Sequence, residues 1–395
     1  MSHPLLDQAR RDRAAGRSGQ ALAGYVEYAR VGRDVDAMCE AAGFAARIDP
    51  RVGERLARAT LRLSADRPDA VHHLAEALAR QGRYTEALPL FRAAVGADGR
   101  LADLSARGES ASPWTVRSPR VACPGCEADQ VVLVHVGNGT RAATTHGLID
   151  PVKVWGRCTA CGLVRVLEPP DPEAVEAYAS RHRSEGGGEP PPEVDYLQAR
   201  LLAAERLLVV VESLLGGAAP ERAGSDPIEL LEVGAGYGTL LAAATHRGFS
   251  AMGLELSRPA AMWAADRLGV HTRVGTIPWA LPDELFSVVV LHDVLDHLPN
   301  PHTALRVAAT RLKPGGVLVA TLPSLDHPLH RLQGYDDPAW STPDRLVYFD
   351  RATLGVALEG AGITLIDQRL SERGEGRVLY LGWKAAEGVG RGPAA

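Results

Sequence analysis

The 395-residue sequence has no apolar run long enough to cross a bilayer. Its first twenty residues, MSHPLLDQARRDRAAGRSGQ, lack the apolar core of a secretion signal. These absences predict a soluble, cytoplasmic protein with no membrane partner. Positive charge is not in excess: 43 Lys and Arg stand against 48 Asp and Glu, a net charge of −5. Phenylalanine is scarce, at five residues. A nucleic-acid surface needs a basic stripe interleaved with aromatics, so both shortages argue against one. Cysteine is scarce too: Cys39, Cys123, Cys126, Cys158 and Cys161. Four of them form two C-x2-C pairs, which in a reducing compartment favour metal over disulfide. What is present is ordinary. The apolar fraction of 46% supports a sizeable core, and the length allows two or three domains.

Five regions follow from pattern. Residues 1–110 carry apolar positions at helical spacing and are rich in Ala, Leu and Arg. The stretch AVHHLAEALARQGRYTEALPLFRAAVGADG resembles a tetratricopeptide repeat, with Leu74, Gly82, Tyr84, Ala87, Phe91 and Ala94 at its packing positions. AAGRSGQALAGYVEYA fits the same pattern 66 residues earlier. A generic helical bundle is the plainer alternative. Stacked helix pairs would offer a surface for a protein or peptide partner, or for self-association. Cys39 falls on one of these helices, as a small buried residue.

Residues 111–170 hold VACPGC and WGRCTACGL, separated by the strand-like VVLVHV and a polar loop. Each C-x2-C is a tight turn that aims two thiolates at one ion. Together Cys123, Cys126, Cys158 and Cys161 make a four-sulfur tetrahedral set suited to a structural zinc, with no position left open for catalysis. The alternative is four structural or redox cysteines. The 31-residue gap between the pairs exceeds ribbon spacing and requires an excursive loop. Residues 171–227 read as a linker with the mobile loop RSEGGGEPPPEV and a helix from Val194 to Leu215, and residues 386–395 as a disordered tail.

From 228 to 385 strands and helices alternate, closing on ITLIDQRLSE and RVLYLGW around ERGEG. That order predicts an α/β fold: a doubly wound, mostly parallel sheet ending in an antiparallel hairpin. The ligand of such a sheet sits at the carboxyl ends of its strands, where LLEVGAGYGTLL places three glycines. A dinucleotide fingerprint needs glycine at the sixth position, which here is Thr239. The glycines fall instead at Gly234, Gly236 and Gly238, two residues after Glu232.

This E-x-G-x-G-x-G pattern resembles motif I of class I S-adenosylmethionine (SAM) dependent methyltransferases. VLDHLPNP is similar to a later motif of that family, with Asp296 in place of glutamate, and RLKPGG to the turn before its fifth strand. CGLV followed by PP-x-P-x5-Y resembles a zinc-ribbon subfamily of sugar, polysaccharide and natural-product methyltransferases. The resemblance spans residues from about 120 to 384 and implies a Rossmann-like sheet, SAM as cofactor and zinc in the ribbon. It implies that Glu232, Gly234, Ala235, Gly236 and Gly238 cradle the amino-acid end. Glu255, with Leu256 beside it, takes the ribose. Thr276 and Ile277 border the adenine, and His292 lies beneath the cofactor. Two departures stand out. Gly275-Thr276-Ile277 replaces the family's Gly-Asp, and Arg345 stands where a histidine is common.

Methyl transfer to a hydroxyl or an acidic carbon needs a base. His297, oriented by Asp293 or Asp296, is the first choice; capping of the next helix is the competing role. The polar stretch after the fifth strand, with few helix signals, offers His327, His330, Tyr335, Trp340 and Arg345 as acceptor contacts. Tyr178 and Tyr196 flank the mobile loop as a lid or as packing. The expected function is methylation of a small molecule, a sugar or natural-product intermediate, on oxygen or carbon. A peptide or protein acceptor, an RNA acceptor and an inactive SAM-binding scaffold are the other classes.

Overall fold

The computed structural model describes residues 3–32, 34–97, 122–138, 149–171, 173–175, 177–178, 194–216, 226–278, 280–337, 340, 342, 344–370 and 377–385. The glycine- and proline-rich loop expected before residue 194, the ERGEG turn and the expected tail over 386–395 lie outside them. The chain divides into two compact units. One takes residues 1–118, 132–156 and 340–343; the other takes 119–131, 157–339 and 344–395.

Among its described residues the first unit holds six helices: α1 (Pro4–Ala14), α2 (Ser18–Val31), α3 (Val35–Ile48), α4 (Pro50–Leu63), α5 (Pro68–Arg80) and α6 (Tyr84–Ala97). Caps set their limits. Asp34 caps α3, and Asp49 both ends α3 and caps α4, where Pro50 occupies the first turn. The two copies seen in sequence share one turn conformation. Gly16 (φ +72°) and Gly82 (φ +76°) both adopt the left-handed form. Tyr25 and Phe91, 66 residues apart in sequence, are both buried. Burial pushes the Cys39 thiol up to about 11, as expected of an inert core residue.

The strand expected at VVLVHV forms, and most of the polar loop after it lies outside the described residues. The stretch between the cysteine pairs supplies β1 (Val131–Asn138) and β2 (Val152–Cys158), and residues 132–156 group with the helices. Tyr84 Oη donates to the Val134 carbonyl at 2.8 Å, and Trp155 is fully buried edge-on to Trp340. The residues expected as one ribbon over 111–170 thus fall in both units.

The second unit holds β3 (Val164–Val166), α7 (Val194–Leu214), β4 (Glu229–Val233), α8 (Thr239–His246), β5 (Ser250–Glu255), α9 (Arg258–Leu268) and β6 (His271–Val274). It continues with β7 (Phe286–His292), α10 (Pro301–Thr310), β8 (Leu312–Pro323), α11 (Pro328–Gln333), β9 (Val347–Tyr348), α12 (Arg351–Glu359), β10 (Ile363–Leu370) and β11 (Arg377–Lys384). Seven strands form one sheet in the order β10-β11-β8-β7-β4-β5-β6. β6, β5, β4, β7 and β8 run parallel, and β11 is antiparallel to both β8 and β10. This is the mixed α/β sheet the alternation implied. The chain leaves β4 toward β5 on one side and returns beside it as β7, so the order reverses at the carboxyl end of β4. Near-continuous apolar strands such as FSVVVLH are buried on both faces, as a covered parallel sheet requires. The segment after β8 departs from expectation by forming α11. His327 Nδ1 accepts from the Leu329 N–H and Pro328 opens the first turn, a start signal hidden by the polar sequence.

Candidate functional site

The glycine turn joins β4 to α8 at the point where the strand order reverses. Gly234, Gly236 and Gly238 all have positive φ, at +78°, +56° and +72°. A Cβ at Gly234 would lie 2.6 Å from Val294 Cγ2, and one at Gly238 2.8 Å from Val270 Cγ2. Conformation and space therefore both require glycine there. Gly238 caps α8 without any side-chain hydrogen bond, so the first N–H groups of the helix remain available to an anion. Glu255 ends β5 alongside. Its carboxylate accepts from the Gly236 N–H at 2.7 Å and from the Ser257 N–H at 2.7 Å, tying the turn to the next strand. Ala235, Glu232 and Ile277 are buried around it, with Leu256 and Thr276 half-buried. The turn's own N–H groups are taken up, Gly234 and Ala235 by the Leu254 carbonyl and Gly238 by that of Ala235, which leaves the first N–H groups of α8 and the Glu255 carboxylate. That suits a ligand with an anionic end and a diol, the two features SAM presents.

His292 ends β7, with Nδ1 3.7 Å from Glu232 Oε1. Strand register lines His292 up with Thr321 of β8, Thr321 with Leu379 of β11, and Leu379 with Arg369 of β10. This row forms the floor of a cavity of about 130 Å³, roofed by Ala203, Leu207 and Val210 of α7. Arg247 pins α7 in place by pairing with Glu205 at 2.9 Å and with Glu212. Sequence reading marked His292 but missed the rest of the row. The only signal for it was alternation along four strands whose pairing sequence does not reveal.

The other sequence-marked residues are held in tight pairings. Asp293 adopts φ +51°, an unfavourable conformation for a non-glycine residue, and accepts from Arg377 Nε at 2.9 Å. Asp296 is fully buried and accepts from Arg345 Nε at 2.7 Å. His297 sits between two carboxylates, with Nε2 3.4 Å from Asp296 and Nδ1 3.1 Å from Asp344. Burial lowers its pKa, but the Asp296 and Asp344 charges overcome that and raise it to about 9. The ring is therefore a cation at neutral pH, and as a base it would operate only above about pH 9. His327 caps α11, and His330 Nδ1 lies 2.7 Å from Asp337 Oδ2. Trp340 belongs to the first unit, where it stacks on His135 with ring centroids 4.8 Å apart. The Tyr335 side chain lies outside the described residues. Tyr178 is buried, while Tyr196 is exposed.

The raised His297 pKa has a stability consequence. The contribution is complete below the ordinary value of 6.5 and is lost as pH rises through about 9. Unfolding free energy should fall by about 3 kcal/mol across that window, and His297→Ala should flatten the fall. Urea titrations at stepped pH would measure it; an identical slope in the variant would mean His297 is not held between the two carboxylates.

The four thiols of Cys123, Cys126, Cys158 and Cys161 converge, their sulfurs all within 4.8 Å of one another. The closest pairs are Cys123–Cys161 at 3.6 Å and Cys126–Cys158 at 3.5 Å. A tetrahedral zinc with bonds of about 2.3 Å spaces its sulfurs by about 3.8 Å, so the set fits that ion closely. Burial opposes the Cys158 thiolate, but N–H groups of Cys161 and Ala160 prevail and lower its pKa to about 7. Cys123 and Cys158 pack in the same apolar cluster as Leu295, Leu305 and Leu354.

Residues 205–368 match the model of a family described as a methyltransferase domain. The chain is similar to a ubiquinone biosynthesis O-methyltransferase of Paramagnetospirillum magneticum, with 37% identity over 101 residues, 24% of this chain and 41% of the relative. It is similar to one of Caulobacter vibrioides at 35% identity over 109 residues, 26% of this chain and 43% of the relative. It thus spans less than half the length of these curated relatives. Among solved structures it is similar to Streptomyces venezuelae DesVI, at 22% identity over 49% of this chain and 96% of that one, with a TM-score of 0.38. The matched span, residues 205–368, runs from within α7 through most of β10 and includes the glycine turn.

Proposed function

We propose that the chain is a SAM-dependent methyltransferase that methylates an oxygen or carbon of a small molecule. The observation carrying this reading is the glycine turn at the reversal of strand order, tied to the Glu255 carboxylate by the Gly236 N–H at 2.7 Å. In this reading Glu232, Gly234, Ala235, Gly236 and Gly238 receive the amino-acid end of SAM, Glu255 and Leu256 the ribose, Thr276 and Ile277 the adenine edge. When bound, SAM supplies an electrophilic methyl group. The chain's part is to align the acceptor with that group and exclude water. Asp293 with Arg377, and Asp296 with Arg345 and His297, are proposed to fix the backbone that follows β7 beside the reacting centre. Cys123, Cys126, Cys158 and Cys161 are proposed to hold a structural zinc, supported by the mutual approach of their sulfurs.

Gly236→Val is the direct test. A β-branched residue at φ +56° is strongly strained and intrudes on the proposed cradle. Calorimetric titration with SAM should show binding by the native chain and at least about a hundredfold weaker binding, about 2.7 kcal/mol, by the variant. Circular dichroism would establish that the variant is folded. Equal affinities would move the cofactor away from this turn.

A further inference from the structure

We propose that the outer face of α4 is the docking surface for an acidic helix of a partner protein. Four arginines make the face: Arg51, Arg55, Arg58 and Arg62, at positions i, i+4, i+7 and i+11. Helical geometry puts them within about 60° of the circumference and along about 16 Å of the axis. All four are exposed. Arg58 pairs with Glu54 of the same helix at 2.9 Å, and Arg83 reaches Glu54 at 3.0 Å, so two guanidiniums already share that single charge. Among the described residues Arg51, Arg55 and Arg62 make no ion pair and no side-chain hydrogen bond. Like charges at i, i+4 destabilise a helix. An acidic partner would turn that repulsion into attraction.

Geometry selects the partner's class. α4 buries its apolar stripe, with Leu56 and Ala57, inside the unit, so the arginine face has none to sink into a bilayer. No aromatic side chain stands in α4 to stack a base. An extended peptide presents a side chain to one face about every 6.8 Å. The arginines step along the axis by about 6, 4.5 and 6 Å, out of phase with that spacing. A helix with acidic residues at i, i+4, i+7 and i+11 repeats these steps. Laid along α4, it sets a carboxylate opposite each guanidinium, and the steps read the same in both directions. A guanidinium takes a carboxylate through two parallel N–H groups. Each exposed pair contributes modestly, so the row acts as a set and its binding is salt-dependent.

The test measures, by fluorescence anisotropy, binding of the full chain to two labelled alanine-based helical peptides of about 18 residues. One carries glutamate at i, i+4, i+7 and i+11. The other has the same composition with its glutamates spread round the helix. At low salt the first should bind at least about tenfold tighter, and the difference should vanish above about 0.3 M salt. Arg55→Glu with Arg62→Glu should weaken the first peptide about thirtyfold. Neither arginine has an ion pair to lose, and circular dichroism would establish that the variant is folded. Arg267→Glu with Arg273→Glu makes the same charge change at exposed sites of the second unit and should leave affinity within about twofold. Equal binding of the two peptides, or an equal loss in both double variants, overturns the docking face. Tighter binding of a single-stranded oligonucleotide or of phosphatidylglycerol vesicles than of the first peptide overturns the acidic helix and gives the row to nucleic acid or a membrane surface.

Discussion

Asp296→Ala should cost about 3–5 kcal/mol of folding stability, because it strands a buried guanidinium. Asp296 has no exposed surface, and its partner Arg345 is 6% exposed. Burial disfavours the Asp296 carboxylate, yet the charges of His297 and Arg345 and the Arg345 hydrogen bond hold its pKa below the usual range. The Asp296 backbone carbonyl also accepts from the Leu346 N–H at 2.7 Å, so one residue joins the segment after β7 to the segment before β9. Urea unfolding would show a lower midpoint for the variant. The double change Asp296→Leu with Arg345→Met removes both charges and should recover much of the loss. A single variant as stable as the native chain would mean that the ion pair does not form in solution.

Cys158→Ser should release the proposed zinc and lower the melting temperature by about 10 °C or more. Serine is a poor zinc ligand, and three thiolates hold the ion far less firmly. The effect extends beyond the cysteines because Cys158 and Cys123 share an apolar cluster with Leu295, next to Asp296, and with Leu305 of α10. Gly125 is a tight neighbour as well: a Cβ there would lie 2.8 Å from the His302 ring, at the start of α10. Elemental analysis of the native chain should find one zinc per chain, and of the variant none. Metal-free native protein with an unchanged melting temperature in Cys158→Ser would remove the ion from the reading.

Much of the second unit was legible along the chain. The glycine turn was readable because its constraint is local: three residues within five positions must adopt left-handed backbone, and only glycine does so freely. The cysteine knuckles were readable for the same reason, each pair lying within one tight turn. Aliphatic runs and cap residues marked most elements. The segment after β8 was harder, since α11 has only six residues and none is buried, so no apolar period announced it.

The catalytic reading was less legible. His297 looked like a base from its neighbours in sequence, but the charge of Asp296 beside it, joined by that of Asp344 47 positions away, raises its pKa to about 9. Arg345, marked as an acceptor contact, lies 49 positions from the buried carboxylate it neutralises. Trp340 sits amid a polar stretch of the chain yet groups with the first compact unit, where it stacks on His135, 205 positions away. In each case at least one partner is distant in sequence.

The sequence by itself determined the α/β class, the glycine cradle, the paired cysteines and the helical first part, because each arises from periodicity or backbone constraint within a few residues. Only the tertiary structure decided which histidine faces a cavity, which is locked between carboxylates, and which strands build the floor under α7. Charge state and cavity lining are sums over groups brought together by strand register, and register is set by pairing across the sheet and not by any one segment.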